Sequence, residues 1–296
     1  MARSDESNNI YPAKLLLFGE YTVLTGSSAL AVPIGKFHAR WVSTGKDSDL
    51  DRRFVELVSP LMSIPLSCEK DEERWQKDRQ QGMVLQSSIP FGKGLGSSGS
   101  LCAALYHRYY QQDRRASEEQ VKQDLVALEN HFHGKSSGMD PLCIFWDLPV
   151  LQDEKGIRRR ESPLNWGLWQ VFLLDSQQAR STRQLVNSYR EKLKDPAFVL
   201  GVEKISHSTE ACIKWLLKGE PMVLGKYLRR LSEQQMKYWD FLIPEHMADF
   251  WRKGLSSDEY YMKLCGAGGG GYFLGFAREG VELPEGAVRV LSDSAG

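Results

Sequence analysis

Eleven consecutive residues, Pro90-Phe-Gly-Lys-Gly-Leu-Gly-Ser-Ser-Gly-Ser100, hold the densest grouping of groups able to grip an anion. Glycines at 92, 94 and 96 permit positive φ and close backbone approach, so several N–H groups can converge on one oxyanion. From Ser97 the residues turn small and apolar, which predicts a helix running to about Gln112. A loop at a helix N-terminus adds the positive end of the helix dipole, and that end favours phosphate. Ser97 and Ser98 can cap the helix, donate to phosphate oxygens or ligate Mg²⁺. The plainer reading is a glycine-rich turn with a serine cap. The stretch lacks the Gly-Lys-Ser/Thr ending of a Walker A loop, and no acidic residue closes a strand some 20 residues later as a dinucleotide site needs.

Phosphoryl transfer also needs a metal held against the phosphates and a carboxylate beside the attacking hydroxyl. Glu129, on the last turns of a predicted helix, and Asp140, in His133-Gly-Lys-Ser-Ser-Gly-Met-Asp140, are candidates for those two roles. Taken singly, they read rather as a solvated helix glutamate and a turn aspartate before Pro141; their value comes from standing downstream of the phosphate-type loop. His131 and His133, two apart, face opposite sides of a helix and read as structural histidines. Arg180 and Arg183 flank Ser181 and Thr182 at a predicted helix start; the arginines suit a carboxylate or phosphate, or simply a surface helix capped by Ser181. Near the end, Lys263-Leu-Cys-Gly-Ala-Gly-Gly-Gly-Gly271 has five glycines in six residues between two predicted strands. Ordering so many glycines is costly, so the backbone must press on other backbone or on a ligand, and a ligand-facing loop is expected.

The elements that must position these groups follow from period and punctuation. Lys14–Phe18, Ala29–Val32, Phe37–Ser43, Met83–Ile89, Leu142–Leu151, Leu168–Leu174, Tyr260–Leu264 and Tyr272–Phe276 read as strands. Asp47–Asp51 and the charged Cys68–Gln81 read as surface excursions. Ser117 with Gln120 marks a helix start, and that helix ends before Gly134. Residues from Thr182 to Trp251 have helical period, with breaks near Asp195-Pro196, Gly219–Pro221 and Pro244. A strand-rich early half and a helical block before a final strand pair predict an α+β fold with a division near residue 150.

The whole-chain balance narrows the functions open to this fold. Of 296 residues 42% are hydrophobic, and 38 basic side chains face 38 acidic ones. That balance argues against nucleic acid or an anionic membrane as partner, while a small anionic substrate needs only a few local cations. Five scattered cysteines with no CxxC pair argue against a zinc site or a disulfide framework. The polar opening MARSDESNN is no signal peptide, and Leu15–Ile34 is too interrupted to span a bilayer, so the expected address is cytoplasmic.

Three motifs in this order resemble the GHMP kinase superfamily: Pro12-Ala-Lys-Leu-Leu-Leu-Phe-Gly-Glu-Tyr-Thr-Val-Leu-Thr-Gly26, Pro90–Ser100 and Lys263–Gly271. Within it, His133–Asp140 is similar to the signature around the catalytic aspartate of the mevalonate kinase branch, in its compact bacterial form. The resemblance implies two α+β domains. Residues 1–150 would be an N-terminal, ribosomal-protein-S5-like ATP-binding domain with a left-handed βαβ crossover. Residues 151–296 would be a ferredoxin-like C-terminal domain, with the ligand between them. It implies Asp140 as base and Lys14 as the cation that eases ionisation of the substrate hydroxyl. Ser98 and Glu129 would be the Mg²⁺ ligands, and Gly92, Lys93, Gly94, Leu95, Gly96, Ser97, Ser98 and Gly99 the ATP loop. Glu20, Tyr21, Arg180, Thr182, Gly266, Ala267 and Gly268 would line the substrate.

By that resemblance the reaction is transfer of the γ-phosphoryl group of ATP to the 5-hydroxyl of mevalonate, with ATP and Mg²⁺ as cofactors. A homodimer is compatible with it. Two departures stand out: Tyr21 occupies a position that is usually histidine in the mevalonate branch, and Cys265 one that is usually threonine. Gly-Glu-Tyr and Ser-Ser-Gly-Ser look more like phosphomevalonate kinase. The alternatives are therefore a phosphomevalonate or other small-molecule kinase, for which Lys36 and Arg40 could supply extra cations, and a non-catalytic sensor that kept the fold.

Overall fold

The computed structural model of the chain describes residues 9–110, 117–179 and 181–292. Its contacts divide it into two compact units. The first takes the described residues up to Lys14, Pro33–Phe91 and Leu95–Val150; the second takes Leu15–Val32, Gly92–Gly94 and the described residues from Leu151 onward. One switch point falls at the expected residue 150, but the units interleave rather than follow one another. Strands β1 (Ile10–Phe18) and β2 (Ala29–Ser43) each run through a switch point, and two further ones, at 91/92 and 94/95, fall in the glycine loop.

The two strands expected at 29–32 and 37–43 are the single 15-residue strand β2, which passes through Pro33. A proline is tolerated where its missing N–H is not required by the ladder. In the first unit β2 pairs antiparallel with β3 (Met83–Ser87), from Ala39 opposite Ser87 to Ser43 opposite Met83.

Both expected surface excursions contain helices, α1 (Asp49–Val58) and α2 (Glu72–Gln81). Most of their charges face solvent as expected, but two aspartates are paired inward. Asp51 is buried and accepts from Arg79 at 2.7 Å, and the Arg79 guanidinium lies over the Phe54 and Trp75 rings. Asp78, also buried, accepts from Arg108 Nη2 at 2.9 Å and from the Tyr109 hydroxyl at 2.8 Å. Burying such groups is tolerable only because each is paired. A composition-based reading sees the charges and misses the pairs.

At the centre of this unit is α3 (Ser97–Tyr109), buried on almost every side and packed by α4 (Glu118–His133) and α5 (Met139–Trp146). The predicted end of α3 near Gln112 lies outside the described residues; the described helix stops at Tyr109. The capping box on α4 is present, with Ser117 and Gln120 exchanging bonds with each other's backbone. The expected strand at 142–151 is overturned over its first half: Leu142–Trp146 belongs to α5, and only Val150–Asp153 is a strand, β4. A short apolar run has no period that separates strand from helix, whereas Gly138 in the left-handed region and Pro141 in the first turn favour a helix start.

The second unit is built on a four-stranded sheet in the order β7-β8-β6-β9, all antiparallel pairs. These strands are β6 (Trp169–Asp175), β7 (Tyr260–Leu264), β8 (Tyr272–Arg278) and β9 (Val288–Leu291). Two further short strands were not predicted: β5 (Gly156–Arg159) has a single apolar side chain, and β9, though apolar at three of four positions, is too short to show a period. Four helices, α6 (Thr182–Lys192), α7 (Pro196–Leu217), α8 (Pro221–Tyr238) and α9 (Glu245–Ser257), break at the three predicted places. Prolines at the starts of α7 and α8 account for two of those breaks, since proline suits a first turn and nothing further in. No described helix is long and apolar enough to cross a membrane.

Candidate active site

In the first unit, Lys14 of β1 and Asp140 of α5 form an ion pair at 2.7 Å. Lys14 is nearly buried, with 8% of its side chain exposed, while Asp140 retains 33%. The lysine is held from both sides. Its backbone N–H donates to the Leu95 carbonyl at 3.1 Å, which ties β1 to the glycine loop. Its aliphatic stem lies against Gly96, where a Cβ would come within 2.7 Å of Lys14 Cγ. Gly96 has φ 78° and is the N-cap of α3, so glycine is required there twice over, for conformation and for space.

Asp140 sits in the first turn of α5, where the helix dipole favours a carboxylate. The first turn of α3 packs directly on it. A Cβ on Gly99 would stand 3.2 Å from Asp140 Cβ and 3.1 Å from the Pro141 nitrogen. The glycine loop, Lys14 and Asp140, which are 126 residues apart at the extremes, therefore share one small volume.

Glu129, far from being a solvated helix residue, is buried at 3% exposure. Burial first, and the neighbouring Asp140 charge second, push its carboxyl up to about 7; the Ser136 hydroxyl, which donates to it, and Lys14 act in the opposite direction. Ser98 shares a hydrogen bond of 3.0 Å with His133 Nε2. The histidine expected to be merely structural is thus a direct partner of a predicted ligand. Ser136 was not singled out from the sequence either, although it stands inside the Ser-Ser-Gly-Met-Asp140 segment. Buried Cys143 and Cys102 flank these groups: burial, then the charges of Asp140 and Glu129 respectively, raises their thiols. All five cysteines are free thiols.

In the second unit, Glu20 is locked against Lys263 at 2.5 Å, both side chains 2% exposed. The other carboxylate oxygen of Glu20 is buried without a hydrogen-bond partner. Lys263 also donates to the Leu264 carbonyl at 2.6 Å. Its burial in an otherwise apolar strand was the available clue to a buried partner. Tyr21, with φ 59°, donates its hydroxyl to the Ala267 carbonyl at 2.7 Å and packs on Tyr189 and Trp239. Positive φ at a bulky residue is strained and persists only where its surroundings over-determine it.

The late glycine run is closely engaged with protein. Gly269 N–H donates to the Leu242 carbonyl at 2.6 Å and Gly271 N–H to Gln178 at 2.9 Å. At Gly268, φ is 67° and a Cβ would meet the Leu242 oxygen at 2.8 Å. Backbone packed on backbone accounts for much of a composition that the sequence alone assigned to a ligand. Thr182 is exposed at the start of α6, and Arg180 lies outside the described residues. Of the predicted loop residues, Lys93 pairs with Asp175 of β6 at 2.8 Å.

Residues 69–146, which include α3, Glu129 and Asp140, match the GHMP kinases N terminal domain. A mevalonate kinase of Archaeoglobus fulgidus is 25% identical over 301 aligned residues, covering 96% of this chain and 96% of the relative. One of Methanothermobacter thermautotrophicus is 22% identical over 289, covering 89% and 88%. The crystal structure of L. major mevalonate kinase in complex with R-mevalonate superposes with a TM-score of 0.64 at 17% identity, covering 95% of this chain and 91% of that one. The fold is that of an α+β small-molecule kinase. Within that class, residues 69–146 are similar to the GHMP kinases.

Proposed function

We propose that the chain transfers the γ-phosphoryl group of ATP to the 5-hydroxyl of mevalonate. The observation that carries the reading is the Lys14–Asp140 pair seated on the first turn of the helix that the glycine loop opens. Its partly exposed carboxylate can accept the proton of an attacking hydroxyl, while the buried ammonium beside it offsets negative charge on the group in transfer. The Gly92–Ser98 backbone and the α3 dipole would hold the polyphosphate, so that positioning rather than covalent chemistry does most of the catalysis. Glu20, Tyr21, Thr182, Arg180 and the Gly266–Gly268 stretch are the proposed substrate contacts. Tyr21 would act through the Ala267 carbonyl that its hydroxyl holds.

The residues also suit Mg²⁺. Glu129 is a buried carboxylate next to a second carboxylate, with Lys14 the nearby cation; its proton affinity is raised first by burial and then by the Asp140 charge, and a divalent ion would offset both. Ser98 adds a hydroxyl oxygen. Magnesium takes hard oxygen donors and needs few from the protein, because substrate phosphates complete its shell. When bound, it supplies neutralisation of phosphate charge.

The mevalonate relatives favour mevalonate over 5-phosphomevalonate as acceptor. Lys36 and Arg40, the cations considered for an extra phosphate, are both exposed on β2. ADP release measured with mevalonate, 5-phosphomevalonate and galactose separates the kinases, and nucleotide binding without turnover on any of them would favour a sensor. Asp140→Ala should lower turnover by about three orders of magnitude or more while leaving nucleotide binding largely intact. A purified variant that retains turnover removes Asp140 from the chemistry.

A further inference from the structure

A lysine inside a phosphate loop is ordinarily read as a phosphate ligand. In this chain Lys93 faces a carboxylate instead. Its ammonium donates to both oxygens of Asp175, at 2.8 and 3.1 Å, and lies 5.7 Å from the centre of the Tyr272 ring. The pair is half-buried, with the two side chains 27% and 35% exposed. Asp175 is well fixed: it is the last residue of β6, in register opposite Tyr272 of β8, and its Oδ1 also accepts from the Gln177 N–H at 2.9 Å. Lys93 is not fixed by its neighbours in sequence. Gly92 and Gly94 on either side have φ of 72° and 83°, both are exposed, and the space around Gly92 is open. An arm of that composition gains its position from a side-chain anchor rather than from its own packing.

We propose that Asp175 is a positioning residue for nucleotide binding: through Lys93 it straps the leading arm of the phosphate loop, so that the loop backbone is already ordered when the polyphosphate arrives. This rests on the nucleotide reading above. The benefit is preorganisation, since ordering entropy spent before binding is not charged against affinity. It also means that Lys93 contributes through its anchor, and that phosphate is met by backbone N–H groups and the helix dipole.

The test compares wild type with Asp175→Asn, Lys93→Met and the charge exchange Lys93→Asp with Asp175→Lys. Readouts are KM for ATP, kcat, the Kd of MgADP by titration calorimetry, and the thermal midpoint. Each neutralising single variant should raise KM and Kd by about five- to tenfold, the scale of a half-buried ion pair together with the loop order it holds, with kcat within about twofold. The charge exchange should recover most of the loss. If Lys93 instead binds phosphate directly, Asp175→Asn leaves KM unchanged or lowers it, and the exchange makes binding worse; either result overturns the strap. Wild type that binds no MgADP would overturn the nucleotide reading itself, whereas active wild type with an indifferent Asp175→Asn overturns the strap alone. The calorimetric Kd is read on variants whose thermal midpoint matches wild type. If Asp175→Asn fails to fold, the charge exchange carries the same decision: recovery supports the strap and worse binding than Lys93→Met overturns it.

Discussion

Removing the charge of Glu129 isolates the claim that this site is built to receive a cation. Burial and the adjacent Asp140 raise its carboxyl from an ordinary 4.5 to about 7. A shift of that size corresponds to about 3 kcal/mol of preference for the protonated form in the folded chain. Because the folded pKa is raised, the contribution to stability is complete below the unfolded pKa and is lost as pH climbs through 7. At pH 8 the metal-free protein therefore carries the whole penalty of an ionised buried carboxylate. Glu129→Gln keeps an acceptor for the Ser136 hydroxyl but never ionises. In buffer with a chelator, urea unfolding should find Glu129→Gln more stable than wild type at pH 8, by up to about 3 kcal/mol. At pH 5 the two should agree within about 1 kcal/mol, because both are then neutral at this position. In wild type, MgADP binding near pH 6.5 should release a proton, seen as a dependence of calorimetric heat on buffer ionisation enthalpy, and the variant should lose it. A Glu129→Gln protein that is no more stable at pH 8, with a difference that does not change with pH, refutes the reasoning.

Gly99→Ala sets helix propensity against packing. Alanine in a helix interior gains about 1 kcal/mol, but its Cβ would press on the Asp140 and Pro141 backbone at 3.1 to 3.2 Å. Stability should change by less than about 1 kcal/mol while kcat falls about ten- to hundredfold, because Asp140 must move; unaltered kcat in a folded variant contradicts the packing account. Lys263→Met strands the Glu20 carboxylate in the interior and should cost about 3 to 5 kcal/mol in urea unfolding, with part regained on adding Glu20→Gln. A loss below about 1 kcal/mol would mean that the pair is more solvated than its burial implies.

Sequence alone determined the parts of this protein that are local in cause. The phosphate-type loop before α3 is written in glycine spacing, the start of α4 in its capping box, and the breaks of α6 to α9 in prolines and a glycine, because turns and helix ends depend on a few adjacent residues. Lys14, Glu129 and Asp140 could be nominated from the sequence, but solvated readings of the two carboxylates, each taken alone, fitted it better.

Tertiary structure decided which of those readings holds, since burial and pairing are properties of residues brought together from afar. It placed Glu129 at 3% exposure beside the charge of Asp140, set Lys14 on Asp140, and buried Asp51 and Asp78 of the charged segments against Arg79 and Arg108. It also made α5 a helix where an apolar run had suggested a strand, because the partners of a short apolar segment, and not its period, fix its form. The Lys93–Asp175 strap and the Lys263–Glu20 pair join residues 82 and 243 apart, and no pattern along the chain announces a partner at such a distance.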